Sequence, residues 1–117
     1  MAKLISFDID GTLEVGEPPG SITMDMVKEV QGAGYLIGSC SDRTISGQQR
    51  IWEEHGITVA FTVLKHQLGE VMARFEAEAY FHIGDTDLDI LVSQQAGFQF
   101  VPVGEAPGQF WGSEGCP

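Results

Sequence analysis

Apolar and polar residues follow two different patterns along the chain. Short apolar runs bounded by Gly, Pro or charged residues have the length of buried strands. Longer segments between these runs place apolar residues at helical spacing, as Met26, Val27 and Val30 do. The pattern predicts strands within residues 4–7, 35–40, 57–64, 79–83 and 98–103, and helices from about 23 to 33, 43 to 55, 65 to 78 and 89 to 96.

The ends of the predicted helices carry local signals. Ser21 or Thr23 can cap the first helix, which is expected to stop at Gly34. Gly56 and Gly97 are placed to end the second and fourth helices. Strands that alternate with helices indicate βαβ units, so we predict an α/β fold with a doubly wound parallel sheet of about five strands. In such folds ligands bind beyond the carboxyl ends of the strands.

The length of 117 residues predicts one domain with a single core. We assign residues 1–103 to this core domain. Residues 104–117 contain Gly and Pro without periodicity and are predicted to be a C-terminal tail, packed loosely through Phe110 and Trp111 or disordered.

Charge and composition exclude some classes of partner. The formal net charge of -11 disfavours extended binding to nucleic acid or to anionic lipid. No apolar stretch of about 18 residues is present, so no membrane span is expected. The N-terminus resembles no signal peptide, which favours a cytoplasmic location. Cys40 and Cys116 lack metal-site spacing, and Cys40 is expected to pack as a small hydrophobic residue.

Candidate chemistry begins directly after the first predicted strand, in the run of residues 8–13. Asp8 and Asp10 are two residues apart, so their side chains leave the strand in the same direction. Two unpaired carboxylates there would repel each other, and a hard cation such as Mg²⁺ would compensate for that repulsion. Gly11 allows a sharp turn, and the hydroxyl of Thr12 can hold a phosphate group together with nearby amides.

Three further candidates follow later strands. Ser41 comes at the end of the second strand, and Ser39 is a weaker choice because it falls inside that strand. Lys65 begins the third predicted helix. Asp85 and Asp89 follow the fourth strand in a Gly-Asp-x-x-x-Asp pattern.

These four patterns, in this order, resemble the four motifs of the haloacid dehalogenase-like (HAD) superfamily. The resemblance covers about residues 4–103. The short connections after Leu13 and after Gly56 leave no room for a cap domain, so the chain is similar to the capless (C0-type) phosphatases of that superfamily.

The resemblance implies a magnesium-dependent phosphomonoester hydrolase. Asp8 would be the nucleophile that forms an aspartyl-phosphate, and Asp10 the general acid and then the general base. Asp8 would start ionised and Asp10 protonated. Mg²⁺ would be held by Asp8, the Asp10 backbone carbonyl and Asp85. Asp89 would join these metal ligands or orient Lys65. The phosphoryl oxygens would be held by Thr12, Ser41 and Lys65.

Other functions stay open at this point. One alternative is a non-catalytic Mg²⁺- or phosphate-binding regulatory module. Another is a phosphatase acting on nucleic-acid ends, suggested by the uncapped site and by Arg43 after the motif serine, although the net charge opposes it. A receiver domain is excluded because residues 61–64 contain no acceptor aspartate. Arg43 is expected to be solvated and His82 to be structural. The expected partner is a phosphorylated small molecule or macromolecule, and homo-oligomerisation is left open.

Overall fold

The computed structural model describes residues 2–111. It has an α/β fold with a sheet of five parallel strands, which confirms the predicted fold class. The strands are β1 (Lys3–Phe7), β2 (Leu36–Ser41), β3 (Phe61–Leu64), β4 (Ala79–Gly84) and β5 (Gln99–Pro102). The helices are α1 (Met24–Gly32), α2 (Ile45–Glu54), α3 (Leu68–Arg74), α4 (Asp87–Ala96) and α5 (Ala106–Phe110), with a 3₁₀ turn, Lys65–Gln67, before α3.

The strand order β3-β2-β1-β4-β5 makes the sheet doubly wound. The chain winds outward from β1 in one direction through β2 and β3, then returns to β4 on the other side of β1. The carboxyl ends of β1 and β4 therefore flank the position where a ligand crevice is expected. Within residues 2–111 the elements leave no cap domain, as the short connections predicted.

The core has two parts, one on each face of the sheet. One face is covered by α1, α2 and α5, whose buried residues include Val27, Trp52 and Ala106. The other face is covered by α3 and α4, through Leu68, Val71 and Val92 among others. Cys40 belongs to the second part, as predicted for a small hydrophobic residue; Cys116 lies outside the described residues.

Several helix boundaries differ from the prediction; α2, for example, begins at Ile45 instead of residue 43. The third helix ends at Arg74 instead of residue 78, because Phe75 is extended and packs near Phe61, while the Tyr80 hydroxyl bonds the backbone of residues 75 and 77. The fourth helix starts two residues early, because the Thr86 side chain caps it by accepting from the Asp89 N–H.

The predicted tail differs from the structure in its first half. Residues 106–110 form α5, although its sequence has no helical periodicity. The Phe110 ring packs edge-on against Phe81 at 5.0 Å between centroids, and Trp111 Nε1 donates to the Met26 carbonyl oxygen at 2.7 Å. Tertiary contacts therefore fix this segment to the sheet. Residues 112–117 of the predicted tail lie outside the described residues.

Candidate active site

Asp8 lies directly beyond the carboxyl end of β1, next to the point where the winding of the sheet reverses. Its N–H donates to the Ile83 carbonyl oxygen at 2.9 Å, so the backbone of Asp8 still pairs with β4. The residue is only 4% exposed. A carboxyl group this poorly hydrated requires compensation from neighbouring charges or a proton.

Two glycines make room for the acidic side chains that follow β4. Gly11 has a φ of 79°, and a Cβ at this position would collide with the carboxylate of Asp85. A Cβ at Gly84 would collide with the carboxylate of Asp89. The side chains of Asp85 and Asp89 therefore occupy space that a Cβ would fill if any residue other than glycine stood at these two positions.

Three carboxylates and one lysine meet between these loops. Asp8, Asp85 and Asp89 each place an oxygen within 4.8 Å of the others. The Lys65 ammonium lies 3.1 Å from Asp89 Oδ1 and 3.7 Å from Asp8 Oδ1. Lys65 is 8% exposed and follows β3 directly, as the sequence predicted for its position.

Asp89 is the hydrogen-bonding centre of this cluster. Its Oδ1 atom accepts from His82 Nε2 at 2.8 Å and faces the Lys65 ammonium. Its Oδ2 atom accepts from the Thr86 hydroxyl at 2.8 Å, the Thr86 N–H at 3.2 Å and the Asp85 N–H at 3.3 Å. Since a carboxylate offers about four acceptor positions, protein donors already fill those of Asp89. Asp89 therefore positions Lys65 and the Asp85 loop.

A buried polar pair supports Asp89 from inside the sheet. Ser6 and His82 are register partners on β1 and β4, and both are fully buried. Ser6 Oγ lies 2.9 Å from His82 Nδ1. Because an ionised carboxylate only accepts hydrogen bonds, His82 Nε2 carries the proton directed at Asp89. The sequence identified His82 as structural, but its link to Asp89 depends on strand register.

Burial and charge perturb the ionisation of the cluster. Burial, with the nearby negative charge of Asp89, raises the pKa of Asp8 to about 8 in spite of Lys65. Burial alone would lower the pKa of Lys65, but Asp8 and Asp89 outweigh it and hold that pKa above its ordinary value. Burial likewise acts to raise the pKa of Asp89, but the hydrogen bond and charge of His82, with Thr86 and Lys65, hold it well below its ordinary value.

The donor set fits a magnesium ion. Three carboxylates face a single lysine, so the cluster carries excess negative charge when all three carboxyl groups are ionised. Mg²⁺ prefers hard oxygen ligands and retains some of its waters. Asp8 and the exposed Asp85 are the residues whose carboxylates would hold it, whereas the oxygens of Asp89 are occupied.

The Asp10 carboxylate does not join this cluster. Its Oδ1 atom accepts from Arg43 Nη2 and from the Glu17 N–H, both at 2.7 Å, and Arg43 Nε lies 3.2 Å from each carboxylate oxygen. The hydrogen bond from Arg43 holds the pKa of Asp10 below its ordinary value. Without a cation, the pKa of Asp8 is raised and that of Asp10 is lowered, the reverse of the split expected with Mg²⁺ bound to Asp8. Arg43, which was expected to be solvated, pairs with Asp10 while 35% of its side chain stays exposed.

The remaining predicted site residues end or follow the neighbouring strands β1 and β2. Ser41 ends β2 and is buried, and its Oγ atom accepts from the Arg43 N–H at 3.1 Å. Thr12 is also buried, and its hydroxyl is the one buried side-chain polar group in residues 2–111 that lacks a hydrogen-bond partner. Ser39 bonds Gln48 and Trp52 inside the core, which leaves Ser41 as the better candidate.

Comparisons with known proteins add no assignment. No protein-family model and no curated protein matches this chain. None of the helices within residues 2–111 is long and apolar enough to cross a lipid bilayer. The resemblance to the HAD superfamily therefore stays a prediction based on the motifs.

Proposed function

We propose that this chain is a magnesium-dependent phosphomonoester hydrolase that forms an aspartyl-phosphate on Asp8. The observation that supports it best is the meeting of Asp8 with Lys65 and two further carboxylates at the crevice of a doubly wound sheet. A structural ion pair needs one acid per base, so the excess of carboxylates favours a site for a cation and an anionic substrate.

Each of the site residues has a different role in such a reaction. A carboxylate oxygen of Asp8 attacks phosphorus in line, the bond from phosphorus to the ester oxygen breaks, and that oxygen takes up a proton. Lys65 supplies positive charge to the phosphoryl oxygens, and the hydroxyls of Ser41 and Thr12 hold them. Mg²⁺, when bound, neutralises charge on the phosphoryl group and on Asp8.

Asp10 meets the requirements of a general acid only after a local rearrangement. The proton for the leaving oxygen must come from a protonated Asp10, whereas Arg43 stabilises its ionised form. The proposal therefore requires that substrate binding separates Asp10 from Arg43, so that the carboxyl group can gain a proton and face the ester oxygen.

The ion pair between Asp10 and Arg43 favours a second candidate function. A non-catalytic module that binds Mg²⁺ or phosphate needs no proton donor, so an Asp10 that stays ionised suits it. The alternative of a phosphatase for nucleic-acid ends gains no support, because Arg43 is engaged by Asp10 and the net charge is -11.

The first test is hydrolysis of a generic aryl phosphate, with Mg²⁺ and with a chelator. Wild type, Asp8→Asn and the control Asp87→Asn are compared; Asp87 is an exposed acid in the same segment as Asp85. We expect metal-dependent turnover in wild type and in the control, and none in Asp8→Asn. Folded wild-type protein that binds Mg²⁺ without any turnover would instead support the binding module.

A further inference from the structure

A cavity of about 410 Å³ shares Lys65 with the carboxylate cluster; half of its lining residues are aliphatic, and the others are Asp42, Lys65, His66 and Gln95. Leu64 follows from β3, and Leu88, Leu91 and Val92 come from α4. Leu88 and Leu91 are 44% and 48% exposed, so α4 presents two neighbouring large apolar side chains to solvent at this cavity. The volume of the cavity falls in the ordinary range for small-molecule sites, about 300–1,000 Å³.

Lys65 connects this cavity to the proposed phosphoryl site. The lysine lines the cavity, while its ammonium reaches Asp8 and Asp89. A phosphate held at Asp8 is thus one lysine side chain away from the cavity. Another cavity, of about 570 Å³ between α2 and β3, is lined by none of the cluster residues.

The charges around the aliphatic cavity select against an anionic occupant. Asp42 lies at its rim, and the positive charge of Lys65 is already opposed by two carboxylates. An additional phosphate or carboxylate on the occupant would face this negative field, and Lys65, whose charge is already opposed, is the one lysine or arginine among the lining residues. An uncharged apolar group gains by covering Leu88 and Leu91.

We propose that this aliphatic cavity binds the apolar, uncharged group esterified to the phosphate, so that the preferred substrates are aryl or long alkyl phosphate monoesters. The proposal rests on the proposed function. It disfavours nucleotides, sugar bisphosphates and nucleic-acid ends as substrates, because each carries further charge next to the reacting phosphate.

The test compares kcat/KM for 1-naphthyl phosphate with kcat/KM for phosphoserine in Mg²⁺. We expect wild type to prefer the naphthyl ester at least tenfold, and Leu91→Ser to reduce this preference by about tenfold, the effect of uncovering one leucine side chain. Ile90→Ser is the matched control, since Ile90 is an exposed aliphatic residue on the same helix outside the cavity. Its substrate preference should equal that of wild type.

Failure of this proposal is distinguishable from failure of the proposed function. Turnover of both esters without preference, or an equal loss in the Ile90 and Leu91 variants, would overturn the aliphatic cavity as a substrate site and leave the hydrolase intact. If neither ester is turned over, calorimetry compares the affinities for phenylphosphonate and methylphosphonate. Tighter binding of phenylphosphonate in wild type, with that difference lost in Leu91→Ser, would support the cavity as the binding site of the apolar group. A wild-type dimer that becomes monomeric in Leu91→Ser, by light scattering, would assign the surface to a second copy.

Discussion

Replacing the proposed nucleophile should stabilise the protein in a chelator, and increasingly so as the pH rises. Burial raises the pKa of Asp8 from 3.8 to about 8, so the folded state retains a proton that the unfolded state has lost. Because folding raises this carboxyl pKa, the free energy of unfolding of wild type is highest below pH 4, where both states are protonated. It falls as the pH rises from about 4 to 8. The variant Asp8→Asn has no charge to bury and escapes this loss.

The size of the stability difference between wild type and Asp8→Asn follows from the pKa shift of Asp8. Each pKa unit corresponds to about 1.4 kcal/mol, so at pH 7 the loss in wild type is roughly 4 kcal/mol. This is a ceiling, since movement of Lys65 or entry of water relieves part of the cost. We expect Asp8→Asn to exceed wild type in free energy of unfolding by about 2 kcal/mol or more at pH 7 and by little near pH 4.5.

The assay is urea unfolding in a chelator at several pH values, followed by the fluorescence of the buried Trp52. Asp42→Asn, which removes an exposed carboxylate, is the matched control and should follow wild type. Added Mg²⁺ should stabilise wild type more than Asp8→Asn at pH 8. A constant difference between wild type and Asp8→Asn from pH 5 to pH 8 would refute the reasoning.

Three further predictions concern the surroundings of the cluster. Gly11→Ala should destabilise the fold by about 2 kcal/mol or more and abolish Mg²⁺ binding, because φ is 79° and the new methyl group meets a carboxylate; Gly34→Ala has a φ of 106° but open space, so it should cost only about 1 kcal/mol in chemical unfolding. His82→Leu should cost about 2–4 kcal/mol, since it removes a buried hydrogen-bond donor from a carboxylate. Arg43→Met should raise the pKa of Asp10 and move the alkaline limb of the kcat profile to higher pH, because a general acid acts only while protonated.

Each of these results has an outcome that would contradict it. Equal losses of stability in the two glycine variants would show that the collision has no effect beyond backbone strain. An unchanged unfolding midpoint in His82→Leu would mean that Asp89 does not depend on the histidine. An unshifted alkaline limb in Arg43→Met, with Arg50→Met as the matched control, would remove Asp10 from the general-acid role.

Local sequence signals predicted most of the fold because each is read from neighbouring residues. Apolar runs located the strands, and Thr23, Gly56 and Gly97 marked helix ends that the structure contains. Asp8 and Asp85 could be placed near each other because parallel strands end at one edge of the sheet. The end of α3 could not be predicted locally because it depends on the packing of Phe75 near Phe61, whereas the start of α4 depends on Thr86, a local cap signal that the prediction missed.

The missed parts of the site depend on distances that no local pattern encodes. Arg43 was recognised as a residue that could reach substrate, but its partner Asp10 is 33 positions away. The pairing of Ser6 with His82 requires the exact register of β1 against β4. One signal was available: a serine and a histidine inside two apolar strands each need a buried partner, and they could have been matched with each other.

The close approach of Gly11 to Asp85 makes the loops after β1 and β4 a single interlocking unit. Neither loop can change its shape or its residues at the contact without a matching change in the other. A protein engineer who grafts the first loop onto another parallel sheet must therefore transplant the second loop as well. In an evolving lineage, the two segments should be exchanged, lost or remodelled together, although more than 70 residues separate them.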